Sequence, residues 1–153
     1  MKRWSLVFVT VCALALGAPA QAQKSTSAVD VHVYKTPTCG CCSVWLDHLR
    51  AHGFTVKHTD LDDLTATKAK HGVPPALQSC HTALVGGYVI EGHVPAADVQ
   101  KLLKERPKVA GIAVPGMPIG SPGMEVPSGQ VQPYSVFAFQ RDGSTTVFAK
   151  HGR

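Results

Sequence analysis

The chain has 153 residues, 44% of them hydrophobic, with five cysteines and a formal net charge of +5. The positive charge is spread along the chain, with no basic run and no aromatic interleaving of the lysines, which argues against nucleic acid as a partner. The sequence has no Ser-His-Asp context, no phosphate-cradling glycine loop and no H-E-x-x-H pair, which leaves the common hydrolase, nucleotide and zinc-protease signatures without support.

Lys2 and Arg3 precede an apolar run from Leu6 to Leu16, and Ala18-Pro19-Ala20 and Ala20-Gln21-Ala22 are overlapping small-x-small sites. Residues 1–22 therefore read as a signal peptide, cleaved between Ala20 and Ala22, with an apolar stretch too short to span a bilayer comfortably. Export places the mature chain in the periplasm, free of the membrane once cleaved. Cleavage removes Cys12, Lys2 and Arg3, leaves Cys39, Cys41, Cys42 and Cys80, and lowers the net charge to +3. Residues 23–28 are polar and read as a disordered leader. The remainder, about 130 residues, is the size of one domain.

In chain order, Val29 to Tyr34 alternates like a strand, and a helix pattern runs from about Cys42 to His52 and stops at Gly53. Phe54 to His58 is a second strand. Asp60, Asp62 and Asp63 open a predicted helix to His71, with Lys68, Lys70 and His71 in its last turn, a charge order that suits the helix dipole. Val73-Pro74-Pro75 is a stiff extended connector. Ser79–Val85 and Tyr88–Val94 form a hairpin around Gly86-Gly87, and Pro95 starts a helix to about Arg106. The order β-α-β-α-β-β-α over residues 29–106 is that of a thioredoxin-like α/β domain. Residues 107–133 alternate prolines and glycines but keep Ile112, Val114, Ile119 and Val126, which predicts an ordered loop lying over the domain. Residues 134–153 hold a β-hairpin, Tyr134–Gln140 with Thr145–Lys150, packed on the same domain.

Cys39, Cys41 and Cys42 fall at the first strand-to-helix junction. Unpaired backbone N–H groups and the positive end of the helix dipole favour thiolate there, so lowered pKa values are expected. Thiolates serve both soft metals and disulfide exchange. In an oxidising periplasm, adjacent Cys41 and Cys42 pair only with strain, whereas Cys39 and Cys42 have a spacing that can close. A metal holding several thiolates explains the cluster equally well. Cys80-His81 adds two donors on the strand expected beside the site, with His93 on the paired strand. Met117 and Met124 stand in parallel Pro-Gly-Met settings; thioether with thiolate selects Cu(I).

Four motifs resemble those of the CopG-type periplasmic copper-resistance proteins. They are Tyr34-Lys-Thr-Pro-Thr-Cys39-Gly-Cys41-Cys42, Cys80-His81-Thr82, Gly92-His93-Val94-Pro95, and Gly116-Met117-Pro118 continuing to Gly120-Ser121-Pro122-Gly123-Met124-Glu125. The resemblance covers about Val29 to Val126 and does not depart from the family at the cysteines. It implies a small exported thioredoxin-like protein that binds copper for copper tolerance, with the cysteine motif, Cys80 and nearby donors as ligands. It also implies redox handling between Cu(I) and Cu(II), and exchange with other periplasmic copper-handling proteins.

The leading reading is thus a copper-binding protein with Cys39, Cys41, Cys42 and Cys80 as thiolates, bridging several Cu(I) ions. His81, His93, Met117 and Met124 rank second as ligands. The alternative is a thiol–disulfide oxidoreductase with Cys39 as nucleophile and Cys42 as resolving cysteine. A structural Cys₃His zinc site ranks third, because zinc has no need of thioethers.

Overall fold

The structure, a computed structural model, describes residues 28–152. The expected signal peptide, and the expected leader up to residue 27, lie outside the described residues. Seven strands form one mixed sheet, accompanied by three α-helices. Among the described residues no helix is long and apolar enough to cross a membrane.

Strand β1, Val29–Lys35, sits inside the sheet between parallel β2, Phe54–Asp60, and antiparallel β3, Thr82–Val85. β4, Tyr88–Glu91, returns from β3 across a turn at Gly86-Gly87, where both residues have positive φ and glycine is the residue that adopts it freely. β5, Gly111–Ala113, lies parallel to β4 and antiparallel to β6, Tyr134–Phe139, and β7, Thr145–His151, closes the far edge. The sheet order is therefore β2-β1-β3-β4-β5-β6-β7.

The side chains divide by strand alternation. On one face Val31, Val33, Ala83, Val85, Ile90, Ile112 and Val136 pack against two helices. Helix α1, Gly40–Ala51, contributes Trp45, Leu46 and Leu49, and with Cys42 its buried positions follow the three-and-four spacing of an amphipathic helix. Helix α3, Ala96–Glu105, contributes Ala96, Val99 and Leu102. Trp45 is wholly buried and its indole N–H donates to the Val94 carbonyl at 2.8 Å. Burying such a side chain contributes roughly 2–3 kcal/mol, so this one residue ties α1 firmly to the sheet. On the other face Val89, Ala113 and Phe139 meet Val73 and Leu77. Those two flank the Pro74-Pro75 connector, which forms a single 3-10 turn, Pro75–Leu77, rather than a fully extended run.

Several boundaries differ from the sequence-based expectation, each for a local reason. α1 starts at Gly40, so Cys41 and Cys42 lie in its first turn and Cys39 is the N-cap residue. The helix expected from Asp60 is shorter: α2 spans Thr65–Lys70, because β2 continues to Asp60 through its pairing with Lys35. Asp63, expected in a first helical turn, instead accepts hydrogen bonds from the Thr65 amide and hydroxyl just ahead of the helix. β3 begins at Thr82 and β4 ends at Glu91, so Ser79, Cys80, His81 and His93 stand beyond the ladder. Gly92, at φ +70, turns the chain out of β4. The segment 107–133 is not loop throughout, since Gly111–Ala113 pairs on both sides as β5. Its three residues fall between Pro107 and Pro115, where no proline removes a ladder donor.

Candidate metal centre

β1 delivers the chain to the Thr36-Pro37-Thr38 turn, closed by a hydrogen bond from the Cys39 amide to the Thr36 carbonyl at 3.1 Å. α1 then begins, which sets the three turn cysteines at the helix N-terminus. Cys39 and Cys42 are joined by a disulfide, with Cα atoms 5.3 Å apart, as the one-turn separation of the two residues allows. Cys41 and Cys80 are free thiols. The Cys41 sulfur lies 3.5 Å from that of Cys39, and the Cys42 sulfur 3.9 Å from the Cys80 carbonyl. All four sulfurs fall within 4.8 Å of one another.

A second set of donors shares Cys80. Ring nitrogens of His81 and His93 lie within 4.8 Å of each other and of the Cys80 sulfur. The individual distances to sulfur are 3.3 Å from His81 Nδ1 and 3.0 Å from His93 Nε2. His93 Nδ1 is 2.8 Å from the Pro122 carbonyl. A carbonyl only accepts, so Nδ1 carries the proton and Nε2 presents its lone pair to Cys80. His81 is fully buried, its ring 4.3 Å from that of Trp45, and its Nε2 is a buried nitrogen without a hydrogen-bond partner. Such an orphaned atom is costly in a finished core; it is the ring nitrogen other than the one that faces Cys80.

The electrostatics follow burial. Cys80 lies outside the helix N-terminus, and burial, with Cys41 alongside, pushes its thiol up to about 12. The expectation of easily formed thiolate therefore does not extend to Cys80, where desolvation wins. Burial holds His81 well below the usual imidazole value, with His93 and Lys68 adding to the effect. His93 is lowered by burial too, opposed by its bond to Pro122 and by Glu125. Two neutral imidazoles beside a neutral thiol offer lone pairs to a metal, and the thiol must lose a proton when one binds.

The proline- and glycine-rich segment folds back onto this turn. A Cβ on Gly123 would lie 2.7 Å from the Cys41 carbonyl, 3.1 Å from the Trp45 amide and 3.3 Å from His93 Nδ1, so the backbone comes this close because residue 123 has no side chain. The Ser79 hydroxyl donates to the Gly116 carbonyl at 2.5 Å. Met124 follows Gly123 and is partly buried, whereas Met117 is 51% exposed. Cys39, Cys41, Cys42, Cys80, His81 and His93 are thus drawn together, Met124 sits on the covering strap, and Met117 stands at its solvent edge.

A family described as a protein of unknown function, DUF411, matches residues 77–124, the stretch from Leu77 through Cys80, His81 and His93 to Met124. No curated protein matches the chain. Two solved structures are similar over most of its length. Copper resistance protein CopG in its form 2 is 43% identical, with a TM-score of 0.77, covering 82% of this chain and 99% of that one. The same protein in form 1 is 42% identical with a TM-score of 0.77, covering 83% of this chain and 100% of that one. The chain belongs to the CopG copper-resistance family. Its cysteine cluster is one that can hold a metal ion.

Three contributors to the surroundings of this cluster escaped the sequence. Pro122 acts through its backbone carbonyl, which no side-chain pattern reveals. Lys68 and Glu91 form a buried pair behind Ser79. A charged residue ending the apolar strand Tyr88-Val89-Ile90-Glu91 was the one available signal.

Proposed function

We propose that this CopG-family chain is an exported, periplasmic protein that binds Cu(I) for copper resistance on a thioredoxin-like α/β domain. The observation that carries the reading is the convergence of four cysteine sulfurs within 4.8 Å, two of them on the first turn of α1 and one from across the sheet. Sulfur donors in that number favour soft ions over calcium or magnesium, the thioethers of Met117 and Met124, which zinc does not need, favour Cu(I) over zinc, and four thiolates can bridge several ions. His81, His93, Met117 and Met124 complete the proposed donor set. The thioredoxin-like part is supported by the order β2-β1-β3-β4, with α1 and α3 packed on one face and Lys68 of α2 reaching the other. Residues 29–106 hold that domain, 107–133 add β5 to its sheet and the strap beside its site, and the β6-β7 hairpin extends the same sheet.

The disulfide sets the condition for loading. While Cys39 and Cys42 are bonded, Cys41 and Cys80 are the two of these four that offer thiols. A dithiol reductant, itself oxidised to a disulfide, supplies the two electrons and two protons that convert the bond to two thiols, and each thiol releases its proton as Cu(I) takes its sulfur. The loaded protein is the reduced one, and Cu(I)/Cu(II) handling and exchange with other periplasmic copper proteins belong to the same proposal. The decisive experiment is metal analysis of reduced protein under anaerobic conditions, with Cu(I) and Zn(II) in competition. Copper retained against equimolar zinc is expected; displacement of Cu(I) by zinc at comparable concentration overturns the reading.

The Cys39–Cys42 disulfide at a helix N-terminus also favours a second reading, a thiol–disulfide oxidoreductase. Cys39 is partly exposed and Cys42 fully buried, which assigns Cys39 as nucleophile and Cys42 as resolving cysteine. Turnover of a disulfide substrate at a rate that copper does not change would establish it, because metal-held thiolates are not free to attack.

A further inference from the structure

Ser79, Cys80 and His81 carry a thiol and an imidazole to the site, yet they belong to no helix or strand. What holds them lies on the opposite face of the sheet. Glu91 is wholly buried. One carboxylate oxygen accepts from the Ser79 amide at 2.7 Å and from Lys68 Nζ at 2.5 Å. The other accepts from the Thr82 hydroxyl at 2.6 Å, and that hydroxyl in turn accepts from Lys68 at 3.1 Å. The segment is therefore gripped at both ends, at Ser79 and at Thr82, by one side chain. Its middle is pinned by the Gly92 amide, which donates to the His81 carbonyl at 3.0 Å.

A buried ion pair is a poor way to stabilise a fold. Removing two charges from water costs about as much as their attraction returns, and an apolar pair of similar size often does better. Glu91 and Lys68 are 0% and 7% exposed at the side chain, so this pair bears the full desolvation cost. What an apolar pair could not supply is an acceptor for the Ser79 amide, which otherwise has no ladder partner at the end of β3.

We propose that Glu91 is the positioning residue for the Cys80–His81 arm of the copper site. Resting on the Cu(I) reading above, the carboxylate holds Cys80 at its distance from the turn cysteines and from His93. The Lys68 ammonium neutralises that carboxylate within the protein.

The test compares two double variants that both remove the charges, so that neither leaves an ion alone in the core. Glu91→Gln/Lys68→Met keeps an amide oxygen for the Ser79 N–H, whereas Glu91→Leu/Lys68→Met removes it. Glu91→Ala/Lys68→Met serves in place of the leucine pair if leucine does not pack, with circular dichroism checking the fold. In competition with a Cu(I) chelator, the glutamine pair should keep the parent's affinity and the leucine pair should lose on the order of tenfold or more, the usual cost of losing support behind a ligand. A second readout needs no copper. In oxidised protein with Cys12→Ser and Cys41→Ser, Cys80 is the remaining thiol, and iodoacetamide should alkylate it at least tenfold faster in the leucine pair than in the glutamine pair. Equal alkylation in the two pairs overturns the tether. A split in alkylation with equal Cu(I) affinity overturns its service to the site. A parent protein that takes up no Cu(I), while the alkylation rates still split, sinks the copper reading and leaves the tether standing.

Discussion

The Nε2 atom of His93 stands 3.0 Å from the sulfur of Cys80. Because Pro122 fixes the proton on the other nitrogen, the imidazole faces the thiol as an acceptor. A metal bound at Cys80 would find that one lone pair 3.0 Å from the sulfur, while the thiol proton it displaces would leave to solvent.

His93→Phe keeps the ring and removes both nitrogens. Cu(I) affinity should fall by roughly tenfold or more. Loss of the bond to Pro122 should also destabilise the apo protein by about 1 kcal/mol. Chelator competition and denaturant unfolding measure the two separately, and an unchanged affinity would remove His93 from the site.

Cys80→Ser tests the contribution from across the sheet. With burial holding the Cys80 thiol up to about 12, loading that sulfur releases a proton, so Cu(I) binding should strengthen as pH rises. In Cys80→Ser, and likewise in Cys39→Ser, the copper stoichiometry should drop, and with Cys80→Ser the pH dependence should flatten. Copper content and pH profile both unaffected in Cys80→Ser would return that residue to a packing role.

Apo stability should depend on pH through the buried imidazoles. His81 and His93 have folded pKa values below that of the unfolded chain, with burial the main cause for each. The unfolded chain therefore binds protons that the folded chain refuses once the pH drops below about 6.5. Stability is complete above that pH and declines below it, by up to about 1.4 kcal/mol per pH unit for each histidine. Urea unfolding of the disulfide form between pH 7.5 and 5.5 checks this. His81→Phe should remove part of the slope, and a profile as steep as the parent's would assign the effect elsewhere.

Much of this site was legible because it is local. The strand, the Thr-Pro-Thr turn and the amphipathic period after Cys42 lie within about twenty residues, so pattern alone brought Cys39, Cys41 and Cys42 to a helix start. Cys80 and His93 were recognisable as donors. Their approach to the turn depends on β3 pairing with β1 over a long sequence separation, which periodicity does not report. Residues 107–133 read as loop because prolines and glycines dominate the stretch. β5 exists through partners outside it, at Val89 and Phe139, not through its own propensity. Asp60, Asp62 and Asp63 looked like a helical first turn because acids favour one; Lys35 instead holds Asp60 in an ion pair at 2.8 Å at the end of β2.

Met117 and Met124 divide on exposure. Replacing both by leucine conserves volume and apolarity, so apo stability should change by less than about 1.5 kcal/mol. Cu(I) affinity or potential should change if thioethers take part. Single variants separate the partly buried Met124 from the half-exposed Met117. A double variant that matches the parent in both properties makes the two methionines packing residues.

The close seat of Gly123 against Cys41, Trp45 and His93 has a consequence for the rate of metal exchange. At φ +86, with backbone 2.7 Å from where a methyl group would sit, Gly123→Ala acts as a wedge under the strap without altering a single donor atom. Lifting the strap lets water and small chelators reach ions that it would otherwise screen. Copper should then leave faster, with residence time shortened well beyond any change in equilibrium occupancy. Release of Cu(I) to a chelator, faster from Gly123→Ala than from the parent at similar equilibrium occupancy, is the expected result, and equal release rates would leave the strap no part in exchange.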